Sequence, residues 1–270
     1  VAFFAAQAAR LAERDVPVFM IRGNHDFENR AAQRLPLPGN VHVFGPEGGV
    51  RLIERGGQAI AVHGVSYDRR GAPASLLERF GPPEPGAINV GLLHTSLAGS
   101  AAHDVYAPCA VADLAARGYD YWALGHVHGR TVHAEAPWVV MPGAPQGRHV
   151  NEPGPRSATE IRVADGRIAA LAEIPTATVV FERVEARLSA EDAAPLDAVA
   201  LRALEAAAAG LGPEQTLVAR LAVTGDAATL AAHRRHADYW RARIAEAAAE
   251  AGAGWIERVD FAPAARAAAD

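Results

Sequence analysis

Lysine is missing altogether: the 270 residues carry 26 basic side chains, and every one of them is arginine. That bias comes with abundant alanine and reads as genomic composition, so no function follows from it. Cysteine is nearly missing too. Cys109 stands alone, so no disulfide can form within these residues, which fits a reducing compartment. Half the residues are apolar, yet no uninterrupted apolar run approaches the roughly 18 to 20 residues that a bilayer-spanning helix needs. The formal net charge of -5 argues against loose electrostatic coating of a polyanion. It does not argue against a focused groove where metal ions supply the positive field. The opening stretch VAFFAAQAARLAERD has apolar residues at helical spacing, with no cap in front of it and none of the basic residues that begin a signal peptide. It reads as a helix entered partway through.

What is present is a recurring arrangement in which an apolar strand ends on polar, ligand-type side chains. Val16 to Ile21 reads as a buried strand that runs into Asn24, His25 and Asp26. A second strand around Ala59 to Val62 ends near His63, and INVGLLHTS ends at His94. Tyr119 to Leu124 breaks at Gly125 and then presents His126 and His128. Trp138 to Met141 leads through a Gly/Pro turn to Gln146, Arg148 and His149. Helices such as Cys109 to Arg117 lie between these runs, so the pattern predicts an α/β layered domain with ligand groups at its strand ends.

A single histidine after a strand is usually no more than a hydrogen-bonded structural residue, and His63, beside a glycine turn, is read that way. Several strands that each end in imidazole or amide groups point further. His126 and His128 are one residue apart, so in extended backbone they face one site or two adjacent ions. Imidazole suits zinc, manganese and iron, and a carboxamide oxygen suits a hard or borderline ion. Asn24, His94, His126 and His128 are therefore read as a metal centre. Cys109 follows Pro108 at an expected helix start and is read as a buried residue, not a nucleophile.

The motifs GNHD at Gly23 to Asp26, LLHT at Leu92 to Thr95 and GHVH at Gly125 to His128, in that order, resemble the later motifs of the calcineurin-like metallophosphoesterases. HDVYAPC, GYDYWALGHVH and PGAPQGRHVNEPGP are similar to the SbcD-type DNA repair exonucleases within that superfamily. The resemblance covers about residues 1 to 175 well and the remainder more loosely. It implies a layered metallophosphoesterase β-sandwich flanked by helices over 1–175, incomplete at its N-terminus, and a smaller α/β capping domain over 176–270. Neither an Asp-x-His nor a Gly-Asp-x-x-Asp motif precedes Asn24, and in the family these supply the bridging carboxylate and most ligands of the first ion. The expectation is an N-terminally truncated chain.

The resemblance also implies roles. Asn24, His94 and His126 would bind the second of two divalent ions, manganese above all, and His128 the first. His25 would sit over the scissile phosphate, and Asp26 would orient it, with a solvated turn carboxylate as the alternative reading of Asp26. Arg22, His103, Tyr106, Gln146, Arg148 and His149 could contact phosphate or base, with ordinary loop polarity as the alternative. Two ions roughly 3.5 to 4 Å apart can present a hydroxide in line with phosphorus. The implied activity is DNA exonuclease action in the cytoplasm beside an SbcC-like coiled-coil ATPase, with a homodimer left open and no membrane partner. A phosphatase or nucleotide phosphodiesterase, or an inactive scaffold for the ATPase, are the alternatives.

After the exit segment Glu173 to Thr178 the pattern changes. A strand near Val179 to Ala186, an alanine-rich helix from about Ala190 to Ala209, a strand Leu217 to Val223, a helix from about Ala227 to Ala251 and a last strand WIERVDF predict a β-α-β-α-β domain.

Overall fold

Four apolar runs in the first half of the chain become the inner strands of one sheet, as their lack of polar alternation requires, while Val18–Met20 pairs in parallel with Val41–Val43 in a separate two-stranded sheet. The computed structural model describes residues 2–28, 36–68, 75–97, 108–189 and 194–262. They divide into two compact units, 1–144 with 158–174, and 145–157 with 175–270.

In the first unit α1 (Ala2–Ala12), β1 (Val18–Met20), α2 (Asn24–Glu28), β2 (Val41–Val43), β3 (Gly49–Arg55), β4 (Gln58–Val65) and β5 (Ile88–His94) are followed by α3 (Val111–Ala115), β6 (Tyr121–Gly125), β7 (Thr131–Glu135) and β8 (Trp138–Met141). A hairpin of β9 (Ser157–Ala164) and β10 (Arg167–Pro175) closes it. The six-stranded sheet has the order β3-β4-β5-β6-β8-β7. Its four inner strands are parallel, and β3 and β7 pair antiparallel at the two edges. The fold is mixed α/β, a central multi-strand sheet flanked by helices. Five strands have no counterpart in the sequence reading: β2 is only three residues long, and β3, β7, β9 and β10 expose most of their residues and include charged ones, so their apolar signal is weak.

Close packing around one tryptophan fixes the middle of this sheet. Trp122 on β6 lies beside Gly91 on β5 and is fully buried. Tyr119 stacks on it with centroids 4.8 Å apart and planes 11° apart, and Trp122 Nε1–H donates to Leu114 O at 3.1 Å, which pins the short α3 to the sheet. Asn89, at the start of β5, donates its carboxamide N–H groups to Glu84 O and Ala87 O. That orientation leaves Oδ1 to accept from His63 Nε2–H at 2.9 Å, so His63 bridges two strands in the core. Cys109 is buried against Thr95, and burial pushes its thiol pKa up.

In the second unit β11 (Val179–Arg187), α4 (Leu196–Ala208), β12 (Thr216–Thr224), α5 (Ala227–Arg234), α6 (Ala237–Glu250) and β13 (Trp255–Phe261) build a parallel sheet of order β11-β12-β13. Leu217, Leu221, Leu204, Leu230 and Ile244 form its core. The single helix expected over 227–251 is two helices. His236 leaves helical backbone at φ -123°, ψ 36°, and the Arg234 and Arg241 side chains donate to Phe261 O and Val259 O of β13. The segment 145–157 belongs to this unit as well: Gly154 N–H donates to Phe181 O, and Gln146 bonds the backbone of Thr178 and Val179.

A Cβ at Gly91 would lie 2.4 Å from the Trp122 ring, with no flexible side-chain end to yield. Gly91→Ala is therefore expected to destabilise the first unit by about 1–3 kcal/mol. A urea midpoint that falls at unchanged slope would show it, and an unchanged midpoint would mean that the ring is not so confined.

Candidate metal centre

The segments that follow β1, β4, β5 and β6 converge, and His94 is where they meet. Backbone bonds join them. Tyr67 N–H donates to Arg22 O at 3.0 Å, and Thr95 N–H donates to Gly125 O at 3.0 Å. Arg22 N–H donates to Ser66 Oγ at 2.9 Å. The sequence permits this approach through glycine: a Cβ at Gly23 would lie 2.5 Å from His94 Cε1, and one at Gly125 would lie 3.1 Å from its Nδ1. The glycines of the GNHD and GHVH motifs are thus the walls of the slot that holds the His94 imidazole.

Within that slot His94 Nε2–H donates to the Oδ1 of buried Asn24 at 3.0 Å, a bond that an ion held by both atoms would replace. The His126 ring stands edge-on to His94 with centroids 5.2 Å apart. His126 holds φ at +117°, a backbone region that L side chains rarely adopt and that costs of order 1–3 kcal/mol. Asp26 Oδ2 accepts from Gly23 N–H at 3.0 Å, which closes the turn in front of Asn24. His25 is exposed at the start of α2. Exposed His128 offers its carbonyl oxygen to Ala144 N–H at 3.1 Å, and Gly143, at φ +78°, lets that turn come close.

Burial first, and then the neighbouring His126, hold the His94 pKa down at about 4. The Asp26 carboxylate pulls it upward, while His25 and His128 lower it by smaller amounts. All four neighbours from the sequence reading are therefore close enough to act on His94. Neutral imidazole at pH 7 is the form that ligates a metal.

The donors suit an ion. Two ligands at right angles, each about 2.1 Å from an ion, lie about 3.0 Å apart, which matches the separation of His94 Nε2 and Asn24 Oδ1. Among the described residues no group of three or more His, Cys, Asp or Glu side chains is gathered tightly enough to hold an ion.

The remaining sequence-read residues separate. Arg22 belongs to the site through its backbone. His103 and Tyr106 lie outside the described residues. Gln146, Arg148 and His149 belong to the second unit, where Arg148 pairs with the buried Glu152 at 2.9 Å and His149 Nδ1 accepts from Asn151 N–H at 3.2 Å. Arg130, which flanks GHVH, is paired with Glu173 at 3.2 Å. Tyr67 escaped the sequence reading; its one signal was an aromatic residue just past the end of an apolar strand.

Comparison with known proteins agrees with this chemistry. Residues 2–130 match the family model of the calcineurin-like phosphoesterases, which generally use two divalent metals. Residues 170–263 match the model described as metallophosphoesterase YhaO, middle domain. Together the matches support the metallophosphoesterase superfamily. A particular relative, the uncharacterized metallophosphoesterase YhaO of Bacillus subtilis (strain 168), is 36% identical over 170 residues, which are 62% of this chain. The matched stretch spans 41% of that protein's length.

The low His94 pKa has a consequence for stability. Below pH 6.5 the unfolded chain takes up a proton that folded His94 refuses until about pH 4, so this contribution is complete above pH 6.5 and lost as pH falls towards 4. Its size is on the order of 3 kcal/mol at most. Urea midpoints at pH 7.5, 5.5 and 4.5 should fall more steeply for the native chain than for His94→Gln. His42, His63 and His133, whose pKa values are also lowered by burial, supply the slope common to both. Equal slopes would show that His94 is not held neutral.

Proposed function

We propose that the protein carrying this chain is a metal-dependent phosphodiesterase that acts on DNA as an exonuclease of the SbcD type. The observation that carries the metal-dependent part is the pair of donor atoms, Asn24 Oδ1 and His94 Nε2, 3.0 Å apart on segments that leave separate strands. What supports DNA as substrate is the similarity of the HDVYAPC, GYDYWALGHVH and PGAPQGRHVNEPGP stretches to the SbcD-type nucleases. An SbcC-like coiled-coil ATPase is the partner this reading implies, and manganese the metal.

Each residue then has a separable task. Asn24 and His94 hold an ion from one side, and His126 and His128 stand beside them. Gly23 and Gly125 leave room for the His94 ring, and Asp26 holds the turn that carries Asn24. His25, exposed beside buried Asn24, is placed to meet a bound phosphodiester and give a proton to the leaving oxygen. When bound, divalent ions would neutralise phosphate charge and activate water at neutral pH. Reading His25 as acid and Asn24 as ligand explains why one strand ends on both.

In the full-length protein, His25→Ala is expected to keep its bound manganese while single-turnover cleavage of linear duplex DNA falls 100- to 10,000-fold, roughly the range of general acid catalysis. His94→Ala should lose manganese itself. A His25→Ala protein that loses metal as readily as His94→Ala would make His25 a ligand and remove its assigned role. Hydrolysis of a small chromogenic ester with none of duplex DNA would leave the metal reading standing and overturn the nuclease.

A further inference from the structure

Buried Tyr67 touches His94 and the backbone of Arg22, two residues before Asn24. Its ring meets the His94 imidazole edge-on, with centroids 5.4 Å apart and planes at 90°. Its hydroxyl donates to His94 O at 3.2 Å, so side chain and backbone of the same histidine are both held. On its other side Tyr67 N–H donates to Arg22 O, and the adjoining Ser66 Oγ accepts from Arg22 N–H. Arg22 precedes Gly23 and Asn24 directly. The Ser66–Tyr67 segment therefore clamps the loop that carries Asn24 with one end and the residue that carries Nε2 with the other.

We propose that Tyr67 is a positioning residue of the metal centre, which fixes the His94 ring and the Asn24 loop against each other so that their donor atoms stand ready for an ion. The physical reason is entropic and geometric. A histidine at the end of a strand can rotate about two side-chain bonds, and a slot walled by two glycines restrains it only from the sides. The edge-on tyrosine closes the remaining approach, and the O–H···O=C bond ties the ring's own backbone to the neighbouring loop. Residues that orient metal ligands in this way typically contribute 10- to 100-fold in metal affinity. The inference rests on the metal-centre reading above and adds to it the residue that makes the centre pre-formed.

The test is manganese binding by this chain, followed by water-proton relaxation, in the native form and in Tyr67→Phe, Tyr67→Met, His94→Ala and Val139→Ala. Expected is a loss of about tenfold or more for Tyr67→Met, which removes ring face and hydroxyl. Tyr67→Phe keeps the ring and should lose roughly three- to fivefold, the size of one neutral hydrogen bond. Val139→Ala removes buried side chain from the core of the first unit on β8, away from the clamp, and should bind as the native chain does, which separates positioning from loss of stability. Native affinity in Tyr67→Met, or in Tyr67→Phe should the first variant fail to fold, overturns the proposal. Equal binding by the native chain and His94→Ala overturns the metal centre itself, a result recognisable because it does not involve Tyr67.

Discussion

The His94 imidazole sits so close to two backbone segments that a Cβ at Gly23 would overlap it and one at Gly125 would crowd it, and the rest of the site depends on that approach. Gly23 on one wall precedes Asn24, and Gly125 on the other precedes His126. The glycine that admits the ring is thus also the residue that delivers the next donor. The same crowding takes water from the imidazole and holds it neutral, with a pKa of about 4. Sterics, protonation state and ligand placement therefore have one cause.

The sheet supports this from behind. Gly91 and Trp122 repeat the device in the core, where the absence of a Cβ on β5 admits an indole on β6. Parallel pairing of β5 with β6 sets His94 level with Gly125. Because those strands are buried, their register cannot slip without turning Leu93 and Leu124 out of the core. The strain stored at His126 is held by that framework.

Much of the first unit was legible in the sequence. INVGLLH and WVVM are mostly apolar and appear as strands with the expected ends, and the β-α-β order of the second half follows from its spacing. The charged edge strands were not legible, since TVHAE and SATEIRVA mix polar and apolar residues in pairs that only their partners make sense of. Nor was the break at His236, because no proline or glycine marks it. At the site, the histidines and Asn24 stood out by residue type. Tyr67 did not, because its role lies in contacts 27 and 44 residues away, with His94 and through the neighbouring Ser66 with Arg22, which no local pattern encodes.

The central claim is that Asn24 and His94 present a joined pair of donors to one divalent ion. Nuclear magnetic resonance with trace manganese tests it most directly, since the ion broadens signals in order of nearness. The expected result is that the Asn24 carboxamide and the His94 imidazole broaden first and together, with His126 next. Broadening that begins at exposed carboxylates and leaves Asn24 and His94 sharp would contradict the account.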